Sequence, residues 1–193
     1  MLVYLLRHGK TAWNLEGRYQ GSSDIPLCEE GREALKPADF MPEKVYVSPM
    51  KRAAETAQLL FPGVQTIAVP GLEEMDFGAF EGKSFRDLAD DRAYRAWVEG
   101  NCTAPCPGGE GREDFSQRVC AAFEHLMARE REQLVIVAHG GTQMAILERY
   151  GRPHRDYFAW QSPNGGGFLL EAEHWEENRA LRLLREIKTF GKD

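Results

Sequence analysis

A short apolar segment at the start of the chain constrains the fold more than any other feature. Residues 2–6 are continuously apolar and lead directly into Arg7, His8 and Gly9. An apolar run of this length that ends at glycine is typical of a strand buried on both faces, as in a parallel sheet. Open α/β sheets bind their ligands just outside the carboxyl ends of the strands. We therefore expect Arg7 and His8 to lie in an active site.

Apolar runs and helical patterns alternate along the rest of the chain. Strands are predicted at residues 45–47, 66–69, 134–138, 167–171 and 181–187, and helices at 29–35, 49–60, 84–99, 114–131 and 142–150. This alternation predicts an α/β fold, a three-layer α/β/α sandwich around a mainly parallel central sheet. The 193 residues are enough to bury a sizeable core, and we expect one domain over residues 1–193.

Capping signals predict where two of these helices begin. Ser48 suits an N-cap and Pro49 suits the first helical turn, so a helix is expected to open there. Ser84 and Asp87 have the spacing of a capping box, with Asp in place of the usual Glu. This spacing predicts that one helix runs over residues 84–99.

The segment after that helix is the expected cover of the active site. Residues 101–111 are rich in proline and glycine, and a loop of this length is often functional. We expect residues 83–131 to form a helical and loop insertion over the site.

Charged groups from several strand ends are expected to meet at one edge of the sheet. His139 follows the strand at 134–138, as His8 follows the first strand. Arg52 falls in the first turn of the helix after the second strand, where a cation is unfavourable unless an anion binds nearby. The loop after the third strand carries Glu74, but composition alone does not separate it from its acidic neighbours Glu73, Asp76 and Glu81.

These groups predict a chemistry for the site. Two guanidiniums that converge on one point indicate a dianion, because their fork matches phosphate oxygens. A neutral imidazole is available near neutral pH, so His8 can attack phosphorus and form a phosphohistidine. Glu74 is the candidate donor of the proton that the leaving alkoxide needs. His139 is expected to act as a cationic ligand of the phosphoryl oxygens.

The motifs around these residues resemble those of the histidine phosphatase superfamily, also called the phosphoglycerate mutase-like family. They are LRHGKT at residues 6–11, GRYQG at 17–21, DIPL at 24–27, SPMKRA at 48–53, LEEMDFGAFEG at 72–82 and VAHGG at 137–141. The match runs in order through most of the chain.

The resemblance implies a role for each matched residue. His8 would be the nucleophile and Glu74 the acid, and the other catalytic positions are Arg7, Arg52 and His139. Those last three would also bind the phosphate, together with Asn14, Gln20, Gly21 and Gly140. The resemblance further implies that activity requires no metal and no other cofactor.

Within the superfamily, the chain resembles the α-ribazole phosphatase branch. The similar stretches are DFG at residues 76–78, RAYRAW at 92–97, GEG at 109–111 and FSQRV at 115–119. They imply dephosphorylation of α-ribazole 5′-phosphate in cobalamin nucleotide-loop assembly. A broad-specificity or sugar-phosphate phosphatase, a phosphoglycerate mutase and a non-catalytic phosphate-binding module remain as alternatives. Lys10 stands where the family usually has Glu or Gln, and we expect it to add positive charge beside the pocket.

The expected partner is a small phosphomonoester substrate, and composition argues against nucleic acid and membrane as further partners. The formal net charge of −6 argues against a nucleic-acid binder. No apolar run approaches the roughly 20 residues of a membrane span, so no membrane partner is expected. A strand directly after Met1 leaves no room for a leader, so we expect a cytoplasmic protein whose four cysteines are free thiols. The sequence makes no prediction about the oligomeric state.

Overall fold

The first strand, β1 (Leu2–Arg7), lies inside a seven-stranded sheet in the computed structural model, which describes residues 1–190. The other strands are β2 (Lys44–Val47), β3 (Gln65–Ala68), β4 (Gln133–Ala138), β5 (Gly151–Arg152), β6 (Gly167–Glu171) and β7 (Leu181–Ile187). Their order across the sheet is β3-β2-β4-β1-β6-β7-β5. Parallel pairing joins β3, β2, β4 and β1, whereas β6 is antiparallel to both β1 and β7. The prediction of a mainly parallel sheet is confirmed.

Helices connect and cover these strands. They are α1 (Ala12–Leu15), α2 (Glu29–Glu33), α3 (Lys51–Leu60), α4 (Arg92–Glu99), α5 (Arg112–Arg129), α6 (Gly140–Tyr150) and α7 (Trp175–Asn178), with short 3₁₀ turns at Gly78–Phe80 and Tyr157–Trp160. Among residues 1–190, no helix is both long and apolar enough to cross a membrane.

Side chains of β1 alternate between two hydrophobic cores. Val3 and Leu5 belong to a core that includes residues of α5 and α6, whereas Tyr4 and Leu6 belong to a second core with residues of α3. Because successive side chains of a strand point to opposite faces, these two cores lie on opposite sides of the sheet. The predicted burial of this strand on both faces, and with it the α/β/α sandwich, is confirmed.

The predicted start of α3 is wrong. The N-cap of α3 is Met50, which makes no side-chain capping bond, and the helix begins at Lys51. The Ser48 hydroxyl lies 2.8 Å from Nε2 of His139. The same hydroxyl also accepts from the backbone N–H of Met50 over 3.4 Å, so the Ser48 side chain is shared between the start of the helix and a residue 91 positions away in the chain.

The predicted start of α4 is also wrong. Ser84 and Asp87 do form the reciprocal bonds of a capping box, at 2.9 Å (Ser84 N to Asp87 Oδ2) and 3.2 Å (Asp87 N to Ser84 Oγ). The chain then makes turns, and a second cap at Asp91 starts the helix by accepting from the backbone N–H groups of Ala93 and Tyr94. Asp91 caps more strongly because its carboxylate serves two of the unpaired N–H groups of a first turn. As predicted, α4 ends at Gly100, and residues 101–111 contain no helix or strand.

Candidate active site

Strand ends bring the predicted groups to one edge of the sheet. Arg7 is the last residue of β1 and pairs in register with Ala138, so His8 and His139 follow neighbouring parallel strands. Arg52 is the second residue of α3, and Glu74 lies in the loop after β3. A cavity of about 380 Å³ opens there. The predicted site residues that line it are Arg7, His8, Asn14, Gln20, Gly21, Arg52, Glu74 and Gly140.

His8 is a buried, neutral imidazole. Its Nδ1 lies 2.6 Å from the carbonyl oxygen of Gly9, which accepts only, so Nδ1 carries the proton and Nε2 keeps a free electron pair. Burial lowers the pKa of His8 well below 6.5, and the positive charges of Arg52 and Arg7 lower it further. A neutral ring with a free Nε2 is what a nitrogen nucleophile requires.

His139 lies behind His8 and is not part of the cavity wall. The two ring centroids are 5.2 Å apart, and His139 is fully buried. Nε of Arg52 donates to Nδ1 of His139 over 3.3 Å, so the proton of this ring is on Nε2, which donates to the Ser48 hydroxyl. Burial, and secondarily the Arg52 charge, lower the pKa of His139 well below 6.5. In this arrangement His139 is neutral and its Nδ1 holds Arg52, and the expected role of His139 as a cationic phosphate ligand stays a prediction.

Each of the three nitrogens of the Arg52 guanidinium donates to an acceptor of the protein. Besides His139, its two terminal nitrogens donate to the carbonyl oxygens of Ser23 and Gly21, each over 2.8 Å. The Thr56 hydroxyl donates to the Arg52 carbonyl and accepts from the backbone N–H of Gly9, next to His8. One turn of α3 thus fixes the guanidinium relative to the imidazole.

Arg7 is the second guanidinium of the wall. Its Nη1 donates to the Ser162 carbonyl oxygen over 2.6 Å, whereas its buried Nε has no hydrogen-bond partner within residues 1–190. A Cβ atom at Gly140 would lie 3.3 Å from that Nε, which is tight contact. Glycine at position 140 thus lets the backbone at the start of α6 pass close beside Arg7.

Glu74 faces these cations from the loop after β3. Its Oε2 accepts from the backbone N–H of Gly141, in the first turn of α6, over 3.0 Å, and its Oε1 accepts from the N–H of Met75 over 2.9 Å. Both bonds hold the carboxyl group beside the cavity, which Glu74 and Gly141 both line.

The loop of residues 72–82, which carries Glu74, is called the acid loop below. An ion pair that the sequence analysis missed holds it in place. Arg118 on α5 forms a bidentate bond with Glu110, at 2.9 and 2.7 Å, and its Nη1 and Nη2 donate to backbone carbonyls of Gly71, Glu73 and Glu74. The Asp76 backbone N–H donates to Glu110 in turn. Both residues lie inside stretches used for the resemblance, but no local pattern shows that they meet.

Two amides on the other side of the cavity are oriented by Thr11. The Thr11 hydroxyl donates to the Gln20 side-chain oxygen over 2.7 Å, and the Thr11 N–H donates to the Asn14 side-chain oxygen over 3.0 Å. Asn164 also donates to the Asn14 oxygen. Since the protein occupies the oxygens, the NH₂ groups of both amides remain as donors for a ligand.

Lys10 does not take the place that the sequence predicted. Its ammonium lies 2.7 Å from the carboxylate of Glu30 on α2, and Lys10 does not line the cavity. An exposed pair of this kind is screened by solvent. Lys10 therefore adds no positive charge to the wall of the site.

The outer part of the cavity is largely aromatic. Tyr19 packs on Phe77 with ring centroids 5.1 Å apart and on Trp97 at 6.0 Å. Phe85 and Phe158 are exposed large side chains that also line the cavity. Phe77, Phe85 and Trp97 come from residues 72–82 and from the segment that precedes and forms α4, so one part of the chain supplies half of the six aromatic residues that line the cavity.

The four cysteines are free thiols, as predicted. Cys102 lines the cavity, and burial raises the pKa of Cys106 to about 12. Within residues 1–190, no group of three or more His, Cys, Asp or Glu side chains is placed to hold a metal ion.

Comparisons with known proteins show the family of this chain. A family model described as the histidine phosphatase superfamily (branch 1) matches residues 3–185. The adenosylcobalamin/alpha-ribazole phosphatase of Salmonella typhimurium is 34% identical over 161 residues, 77% of this chain and 79% of that protein. A metal-independent phosphoserine phosphatase of Arabidopsis thaliana is 32% identical over 160 residues, 76% of this chain and 67% of that protein.

Solved structures show the same fold. A crystal structure of the alpha-ribazole phosphatase from Shigella flexneri matches with a TM-score of 0.81 at 27% identity, and the match covers 100% of both chains. The family model covers nearly the whole sequence, and the phosphatase class expected from the motifs is confirmed at the level of the family. This chain therefore belongs to the histidine phosphatase superfamily.

Proposed function

We propose that the protein hydrolyses phosphomonoesters through a phosphohistidine on His8. The observation that carries this proposal is the tautomer of His8, which keeps Nε2 free in a residue that lines the cavity together with Arg7, Arg52 and Glu74. Arg7 and Arg52 would bind the nonbridging phosphoryl oxygens as charge-assisted, forked donors. The NH₂ groups of Asn14 and Gln20, with the backbone at Gly21 and Gly140, complete the proposed phosphate site.

The reaction would take two displacements at phosphorus. In the first, the Nε2 electron pair of His8 forms the N–P bond, the ester P–O bond breaks, and protonated Glu74 gives its proton to the departing alkoxide. In the second, the Glu74 carboxylate takes a proton from water, which attacks phosphorus as the N–P bond breaks. Free phosphate and the neutral imidazole result. In this proposal His139 contributes by holding Nε of Arg52.

The proposed substrate is α-ribazole 5′-phosphate. The aromatic outer wall supports this choice, because Tyr19, Phe77 and Trp97 offer ring faces and edges to a flat heteroaromatic base. The relatives from Salmonella and Shigella carry the corresponding names. In this proposal residues 83–131 of the single domain cover the site and select the alcohol.

A second candidate is a phosphomonoester whose alcohol carries a carboxylate, such as phosphoserine. Arg112, the first residue of α5, lines the cavity and stacks over the Tyr157 ring, with its guanidinium carbon 5.0 Å from the ring centroid. Within residues 1–190, no carboxylate lies within 4.0 Å of its guanidinium, unlike that of Arg18 or Arg118. An unpaired cation on the outer wall favours a substrate with a second anionic group.

Phosphate release for a panel of substrates tests both candidates. We expect kcat/KM for α-ribazole 5′-phosphate to exceed that for sugar phosphates, phosphoglycerates and phosphoserine by about 2- to 12-fold, since stacking adds about 0.5–1.5 kcal/mol beyond burial. A preference for phosphoserine would favour the second candidate instead. Exchange of phosphate between two carbon positions would indicate a mutase.

The His8→Ala variant is the control for mechanism. It should keep the fold and lose all turnover, and the wild-type protein should form an acid-labile phosphoenzyme that the variant lacks. Phosphate release by His8→Ala at the wild-type rate would exclude the phosphohistidine route. Phosphate binding without turnover in the intact protein would indicate a non-catalytic module.

A further inference from the structure

Glu81 lies at the end of the acid loop, and its carboxylate fastens a second loop. Oε1 accepts from the backbone N–H and the hydroxyl of Ser22, over 2.7 and 2.9 Å, and from the Phe77 N–H over 3.2 Å. Oε2 accepts from the backbone N–H of Ser23 over 3.0 Å and from the Ser23 hydroxyl. Five donors on one carboxylate leave little of its hydrogen-bonding capacity for solvent.

The same turn holds Arg52 from its other side. The carbonyl oxygens of Gly21 and Ser23 accept from the two terminal nitrogens of Arg52, each over 2.8 Å. Ser23 therefore donates to an anion through its N–H and accepts from a cation through its carbonyl. Gly21, which lines the cavity, has a left-handed backbone with φ of +52°, and a Cβ atom at this position would clash with Glu81 Oε1.

We propose that Glu81 is a positioning residue for the phosphate site, acting through the Gly21–Ser23 turn on Arg52. This inference rests on the proposed function. Glu81 fixes the turn, the turn fixes the guanidinium, and the guanidinium binds the phosphoryl group. Because Glu81 follows Glu74 on one loop, the same segment carries the proton donor and sets the phosphate ligand opposite it.

The chemistry requires a carboxylate at this position. An amide has one acceptor oxygen and one NH₂ donor, and the backbone N–H groups of Ser22 and Ser23 are fixed donors that cannot turn to accept. In Glu81→Gln, one of these N–H groups would face another donor. The turn would relax, and the carbonyls that hold Arg52 would move with it.

Binding of inorganic phosphate to Glu81→Gln, measured by titration calorimetry, tests the proposal without depending on turnover. We expect affinity about 10- to 100-fold weaker than in wild type, the range that corresponds to loss of one hydrogen bond between charged groups. Glu171→Gln, which removes the surface carboxylate paired with Arg182, is the matched control and should bind phosphate like wild type. Wild-type phosphate binding without turnover would overturn the proposed function but leave this comparison intact.

A double-mutant cycle separates positioning from general loss of stability. If Glu81 acts through Arg52, then Glu81→Gln should weaken phosphate binding much less in an Arg52→Lys background than in wild type. Its effect on kcat/KM should also be the same for good and poor leaving groups, unlike that of a proton donor. Unchanged phosphate affinity in a folded Glu81→Gln variant, or full additivity with Arg52→Lys, would overturn the proposal.

Discussion

Ser48 and His139 form a pair whose hydrogen bonds determine the protonation of the site. The Ser48 hydroxyl accepts a hydrogen bond from Nε2–H of His139, and Nδ1 of that ring accepts from Arg52. A proton on Nδ1 would oppose the Arg52 donor, so this arrangement favours the neutral ring. At the scale of single residues, the two histidines therefore differ in role. His8 presents an electron pair to the cavity, and His139 uses its electron pair to hold a cation.

The Glu74→Gln variant tests the proposed proton donor. We expect a loss of kcat/KM that grows as the leaving group becomes more basic, about 100-fold or more for an alkyl phosphate and little for an aryl phosphate such as p-nitrophenyl phosphate. A plot of log kcat/KM against leaving-group pKa is the measurement, because kcat also contains the second displacement, in which Glu74 takes a proton from water. Asp76→Asn is the control, since Asp76 is outside the cavity wall and accepts from the Gly78 N–H. Equal losses for all leaving groups would assign proton transfer to another residue.

At the scale of elements, α4 and the loop after it are bonded to each other within the proposed cover. The indole N–H of Trp97 donates to the Ala104 carbonyl oxygen over 3.0 Å, and the Cys102 N–H donates to the Trp97 carbonyl. Trp97 also lines the cavity. The start of α4 therefore affects where an aromatic wall residue lies.

The Asp91→Ala variant tests the observed start of α4. Loss of the cap should lower the free energy of unfolding by about 1 kcal/mol, because the N–H groups of Ala93 and Tyr94 lose their acceptor. Urea unfolding followed by circular dichroism is the measurement. Asp90→Ala, one position earlier and exposed, should be close to neutral. A larger loss in Asp90→Ala than in Asp91→Ala would contradict this boundary.

At the scale of the whole molecule, the two buried histidines couple stability to pH. Burial is the main cause that lowers the pKa of His8 and of His139 well below 6.5, and the arginine charges add to it. The unfolded chain binds protons at both positions near pH 6.5, whereas the folded protein does not. Stability is therefore fully present above that pH and falls as the pH decreases.

Urea unfolding at pH 7.5 and pH 5.5 measures this effect. Each histidine should contribute a decrease of about 1.4 kcal/mol in the free energy of unfolding over that interval. His8→Asn should remove about half of the part that the two histidines contribute. An unchanged pH dependence in His8→Asn would show that His8 takes up its proton in the folded protein as readily as in the unfolded chain.

Local patterns predicted the elements well where burial alone decides them. The strand at residues 134–138 matches β4, and those at 167–171 and 181–187 match β6 and β7 in full. Helix starts were less predictable. Ser48 is a suitable N-cap residue, but its side chain also bonds to His139 and the helix begins at Lys51. The Ser84–Asp87 capping box forms, but its turn does not continue into the helix. A cap depends on which partner is nearest in space, and the sequence does not contain that distance.

The sequence by itself determined the α/β/α sandwich and the group of Arg7, His8 and Arg52 at one edge of its sheet, whereas the family resemblance was needed to select Glu74 from its acidic neighbours. It could do so because strand burial follows a local repeat and parallel strands end at a common edge. Only the tertiary structure decided the neutral state of His139, the withdrawal of Lys10 and the contact of Glu81 with the Gly21–Ser23 turn. These features depend on hydrogen bonds between residues far apart in the chain, or on which carboxylate pairs with a given cation. The packing of the folded chain determines which of these partners meet.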